Sequence, residues 1–151
     1  MIIQLAAAFC GSRGFAIFLK MKGKQIVYAG LGGLINWFIY LVVFDFCQSD
    51  FLGNFIAAIF IGIFAEIMAR VNRAPSTIFL TAAAVPLIPG GKLYYTMYGL
   101  VSEDNQLFVE SGTAAVVIAL AISLGFVVVA VLKRYLDKIL TKMEHPTTFV
   151  E

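Results

Sequence analysis

The sequence predicts an all-α polytopic membrane protein with about five transmembrane helices, the fourth of them broken at PLIPGG. Three observations carry the prediction. Apolar residues make up 61% of the 151 positions and charged residues 13%, about half the ~25% usual in soluble domains, with a mean hydropathy of +0.93. A chain of this size folding in water needs a polar shell, which these residues cannot supply. The apolar residues fall into runs near the roughly 20 residues that cross a hydrocarbon core. The charges between the runs also alternate in sign along the chain.

The spans read as approximately 1–19, 26–46, 51–70, 76–101 and 111–132, in a single transmembrane domain covering 1–151. The connecting segments are KMKGK (20–24), DFCQSD (45–50), VNRAP (71–75) and SEDNQLFVE (102–110), with a tail over 133–151. Lys20, Lys22, Lys24, Arg70, Arg73, Lys133, Arg134, Lys138 and Lys142 put nine of the eleven basic residues on one side. Asp45, Asp50, Glu103, Asp104 and Glu110 occupy the opposite loops, which hold no Lys or Arg. The positive-inside rule then sets the N-terminus outside and the C-terminus in the cytoplasm.

Each span has its own character. The first lacks the basic start of a signal peptide and is kept as a span. Arg13 interrupts it: either it faces a partner or water, or it ends a short helix, with GFAIFL re-entering or lying at the interface. Asn36 in the second span reads as an interhelical hydrogen bonder, with substrate contact the alternative. Ala58, Gly62, Ala65 and Ala69 in the third span and Ala115, Ala119 and Ser123 in the fifth recur at close helical spacing, the pattern that lets backbones approach. The tail KRYLDKILTKM extends the fifth span as an amphipathic helix whose lysines meet anionic lipid. Cys10 and Cys47 read as buried small residues, and His145 as a solvated tail residue. No metal or cofactor is expected.

The fourth span departs from an ordinary apolar helix. Pro86 and Pro89 have no N–H, so the carbonyls of Ala82 and Val85 lose their helical partners. Gly90 and Gly91 follow, residues that accept backbone angles closed to others. Ser76–Ile88 spans roughly 20 Å as a helix and Lys92–Val101 roughly 15 Å, so neither half crosses alone and the break lies inside the bilayer. Irregular backbone at that depth is tolerated where protein buries it or water reaches it, and broken helices form the sites of many secondary transporters.

The chemistry at the break suits a small carboxylate, and a zwitterionic amino acid would use both ends. The second half-helix begins near Gly91 with free N–H groups and a positive dipole end. Lys92 adds an ammonium, and Tyr94, Tyr95, Thr96 and Tyr98 add hydroxyls. The bland alternative is that Lys92 snorkels to the interface while the tyrosines form an aromatic belt. Glu66 and Arg70, spaced i,i+4, share a helix face and can pair as an anchor, or Glu66 can relay protons.

The segments AEIMAR, APSTIFL, VPLIPGGKLYYTMYGLV and GTAAVVIALAISLG resemble the threonine/serine exporter family, in its small five-span component equivalent to the C-terminal half of the fused exporters. The likeness covers nearly the whole chain, and PLIPGG is its most specific part. It implies an inner-membrane secondary transporter exporting small amino acids, with some split members linked to dicarboxylates, and a partner subunit carrying the larger half. Glu66, Arg70, Pro75, Pro86, Pro89, Gly90, Gly91 and Tyr94 match its motif; Lys92 is not part of it.

The resulting expectation is a non-enzymatic subunit of a threonine/serine or small-carboxylate exporter. Pro86, Pro89, Gly90, Gly91, Lys92, Tyr94, Tyr95 and Tyr98 form the substrate site, and Glu66 and Arg70 gate or couple it. Its partners are the small molecule, lipid and a second exporter subunit, with a homo-oligomer left open and no nucleic acid. The rivals are a non-transporting assembly or scaffold subunit and an intramembrane enzyme. Against the enzyme stands the absence of intramembrane His or Asp and of any Ser/Lys or HExxH arrangement.

Overall fold

The computed structural model describes residues 2–144, with side-chain surroundings through residue 139; His145 lies outside the described residues. The helices are α1 (Ile2–Phe18), α2 (Lys24–Cys47), α3 (Asp50–Asn72), α4 (Ser76–Ala84), α5 (Gly90–Val101) and α6 (Asn105–Glu144). A three-residue 3-10 turn at Val85–Leu87 follows α4 directly.

α2, α3 and the Asn105–Ile139 part of α6 are long and apolar enough to cross a membrane, and α4 with α5 qualify jointly as a pair bent by 55°. α1 has 17 residues, fewer than the roughly 20 that cross the hydrocarbon. Length and composition therefore support three or four crossings where the sequence runs suggested five. α1 ends just before Lys20, whose φ of 58° turns the chain back and lets Met21 N–H donate to Ala16 O at 3.1 Å.

The loops are shorter than their polarity suggested, because their polar residues cap helices. The Ser49 hydroxyl accepts from Leu52 N–H at 3.5 Å, so DFCQSD shrinks to Gln48 and Ser49. The Asp104 carboxylate accepts from Leu107 N–H at 3.0 Å, so α6 starts at Asn105, inside the expected loop. α6 then continues through Lys133 and the expected amphipathic stretch without a break as far as Glu144.

Lipid tails are as apolar as the side chains, so close backbone contact rather than apolar burial holds such a bundle together. α3 sits centrally, against α2, α4 and α6. A Cβ on Gly125 of α6 would stand 2.6 Å from Ala58 Cβ and 2.9 Å from Phe55 O, and one on Gly62 would stand 2.9 Å from Val129. In α2, a Cβ on Gly33 would fall 1.9 Å from the Ser12 hydroxyl of α1 and one on Gly32 2.5 Å from the Phe64 ring. The expected row on α3 holds at Ala58, Gly62 and Ala65, all buried, while Ala69 is half-buried. On α6 the row is rotated: Ala115, Ala121 and Gly125 face inward, but Ala119 and Ser123 are exposed. Ser123 donates to its own helix at Ala119 O, 2.7 Å away. Cys10 and Cys47 are exposed rather than buried, on helix surfaces that lipid can cover.

The two halves of the bent pair pack on different neighbours. α4 lies against α1, α2 and α3, whereas α5 lies against α6. Asn36, completely buried, ties the first half down: its Nδ2 donates to Ala83 O at 3.3 Å. Asn36→Leu keeps the branched shape and removes that bond. It is expected to lower stability by about 1 kcal/mol, read as a lower thermal midpoint in detergent.

Candidate functional site

The break is built by the two prolines. Pro86 offers no N–H to Ala82 O one turn back, and the Asn36 amide donates to the neighbouring carbonyl, Ala83 O. Pro89 offers none to Val85 O, which instead accepts Ile88 N–H at 3.2 Å and closes the 3-10 turn. The Val85 carbonyl is therefore not free, as the proline spacing alone suggested. Ile88 is extended (φ −62°, ψ 123°), and the chain restarts as a helix with Gly90 N–H donating to Ile88 O at 2.7 Å and Leu93 N–H to Pro89 O at 3.0 Å.

Gly90 and Gly91 do not serve as conformational joints. Both belong to α5, and the one glycine with positive φ among the described residues is Gly23. A Cβ on either would meet nothing within 4 Å. What the two glycines contribute is open space in front of the first turn of α5, where Gly90 N–H is taken by Ile88 O and the N–H groups of Gly91 and Lys92 lack an intrahelical partner.

That space belongs to a cavity of about 320 Å³, at the small end of the range that holds small-molecule ligands. Pro86, Pro89, Gly90, Gly91, Lys92 and Tyr95 line it, six of the eight substrate-site residues expected from the sequence. Tyr94 and Tyr98 do not: they are exposed, with rings stacked at 6.3 Å on another face of α5. The Thr96 hydroxyl is engaged with Lys92 O at 2.7 Å.

Among the lining residues that escaped the sequence reading are four with polar side-chain atoms: Trp37 and Tyr40 from α2, Asp50 and Asn54 from α3. Trp37, Tyr40 and Phe44 form a ladder of stacked rings, with centroids 4.8 Å and 5.8 Å apart. The ladder holds the Tyr40 hydroxyl where it donates to Asp50 Oδ1 at 2.8 Å. Asn54 Nδ2 donates to Asp50 O at 2.8 Å. The indole N–H of Trp37 is buried and has no acceptor. Asp50 looked like a loop residue; it is the first residue of α3, one turn before Asn54 on the same face. That i,i+4 spacing was the available signal.

Glu66 and Arg70 lie toward the other end of α3, and each pairs with α6 rather than chiefly with the other. Glu66 Oε2 meets Lys133 Nζ at 2.7 Å, and Arg70 Nη2 meets Asp137 Oδ1 at 3.6 Å. Glu66, Ser76, Phe126, Ala130 and Lys133 help to line a second cavity of about 240 Å³. Between the two cavities lies an apolar cluster of Ala57, Ala58 and Leu87, with Ile122 and Phe126 packed on it. Leu87 also faces the first cavity and Phe126 the second.

No solved structure matches the chain. A family model described as threonine/serine exporter, ThrE, matches residues 4–132, a stretch that includes every residue lining the first cavity. A bundle of apolar helices, a bent helix pair beside a small cavity, and a family match over most of its length together place this chain in the threonine/serine exporter family of multi-pass membrane transporters.

Proposed function

We propose that the chain is the small subunit of a secondary transporter that exports threonine, serine or a related small carboxylate, working with a second, larger subunit. The observation that carries this reading is the first cavity, where the α5 N-terminus and Lys92 open onto a space of about 320 Å³. An anion there meets backbone N–H groups, the positive end of a helix dipole and an ammonium.

The charge pattern supports an N-terminus outside and a cytoplasmic C-terminus, and the family match supports a cell (inner) membrane location. In that orientation the first cavity belongs to the outer half and the second to the cytoplasmic half. The Leu87–Phe126 cluster is the barrier between them. Export then requires the barrier and the Glu66–Lys133 pair to rearrange in turn, so that the solute meets one side at a time.

Threonine and serine efflux from cells lacking the chain tests this reading. Returning the chain with its partner subunit restores efflux. Unchanged efflux overturns the reading, and full efflux with the partner alone assigns the chain a scaffolding role instead. Glu66→Gln, which weakens the pair to Lys133, slows efflux about tenfold, the loss of one charge-assisted hydrogen bond. The charge-swapped Glu66→Lys/Lys133→Glu protein recovers much of it. No recovery in the swap would remove the pair from the gating step.

A further inference from the structure

We infer that Asp50, positioned by Tyr40, receives the substrate's ammonium group and makes the first cavity selective for α-amino acids over simple carboxylates. The inference rests on that cavity being the substrate site. Asp50 and Lys92 both line it, on α3 and α5 respectively. They carry opposite charges, yet no ion pair joins them: Asp50 Oδ1 holds the Tyr40 hydroxyl, and Lys92 Nζ has no partner among the described residues. A mutually neutralising pair would have closed the site. Two separated charges around one small cavity instead match a molecule that carries both signs.

The other lining groups fit the same ligand. The Tyr40 bond leaves the remaining acceptor positions of the Asp50 carboxylate for an ammonium, which brings three donors and no acceptor. The aromatic ladder fixes Tyr40 and so fixes the carboxylate. On α5 the free first-turn N–H groups and Lys92 are donors, suited to a carboxylate. Asp50 on α3 accepts, and the start of α5 donates. A dicarboxylate would set one of its charges against Asp50, a like-charge contact that costs affinity.

Trp37 lines the cavity and is the chain's one tryptophan, so its fluorescence reports occupancy in the purified full-length protein. Three probes separate the contacts: threonine, 3-hydroxybutanoate (threonine without its amino group) and threoninol (threonine without its carboxylate). Asp50→Asn keeps the shape and removes the charge. It weakens threonine and threoninol about 10- to 100-fold and leaves 3-hydroxybutanoate unchanged or tighter. Lys92→Gln weakens threonine and 3-hydroxybutanoate and spares threoninol.

Tyr40→Phe leaves Asp50 in place without its hydrogen bond. It weakens threonine several-fold, which keeps the proposal testable if Asp50→Asn does not fold. Asp50→Asn binding threonine with native affinity, or losing all three probes equally, overturns the role of Asp50. If Gly90→Leu/Gly91→Leu abolishes threonine binding at the same time, the cavity stands as the substrate site and Asp50 alone is excluded. Undiminished binding in the glycine variant, or no saturable response to threonine in the unaltered protein, overturns both.

Discussion

Gly90→Leu/Gly91→Leu abolishes threonine efflux while the protein inserts, purifies and unfolds much as the unaltered chain does. Structure and function are expected to separate here because the positions are helical, with negative φ and no atom within 4 Å of an added Cβ. Replacing glycine by a better helix former inside a helix stabilises it by up to about 1 kcal/mol per site. The new side chains therefore do no harm to the fold. They occupy the cavity and screen the first-turn N–H groups from any solute. The single alanine variants grade the effect, with Gly91→Ala impairing efflux less than leucine does. Efflux measured beside the thermal midpoint gives the check: undiminished transport in the leucine pair removes the break as the site, whereas loss of both fold and transport shows the glycines to be structural.

Gly125→Leu has the opposite signature, a loss of stability from which loss of transport follows. At this point α6 and α3 touch backbone to backbone, with Ala58 Cβ 2.6 Å and Phe55 O 2.9 Å from where a Cβ would sit. Neither neighbour is the end of a flexible side chain. The helices must separate, and with them go the tight contacts on which a bundle in lipid depends. Overpacking of this kind costs about 1–3 kcal/mol or more. Thermal unfolding in detergent measures it, with Gly14→Ala as the control, since a Cβ there meets nothing within 4 Å and the change is neutral or mildly stabilising. A Gly125→Leu protein as stable as the control would mean that α3 and α6 are not held this closely.

Particular residues separate what was legible in the sequence from what was not. The break was legible because its cause is local: Pro86 and Pro89 lack N–H groups whatever surrounds them, and the chain bends by 55° there. Asn36 was legible because a buried amide in an apolar span must find a partner, and it found Ala83 O. The partners of Glu66 and Arg70 were not legible. Spacing along α3 favoured pairing with each other, but α6 brings Lys133 and Asp137 alongside. Tyr94 and Tyr98 were assigned to the site along with Tyr95 because all three follow the break closely, although successive residues on a helix point in different directions.

The amino-acid sequence by itself determined that this chain lives among apolar helices, which loops carry positive charge, and where the fourth span fails as a helix. Each of these depends on composition or on the covalent chemistry of a few neighbouring residues. The tertiary structure alone decided that Asp50 and Tyr40 reach the cavity, that Ala119 and Ser123 turn outward, and that the halves of the broken span part to α6 and to the α1–α3 group. Those outcomes depend on how far each helix is rotated about its axis. Contacts between small residues distant in sequence, such as Gly125 against Ala58 and Gly33 against Ser12, set that rotation.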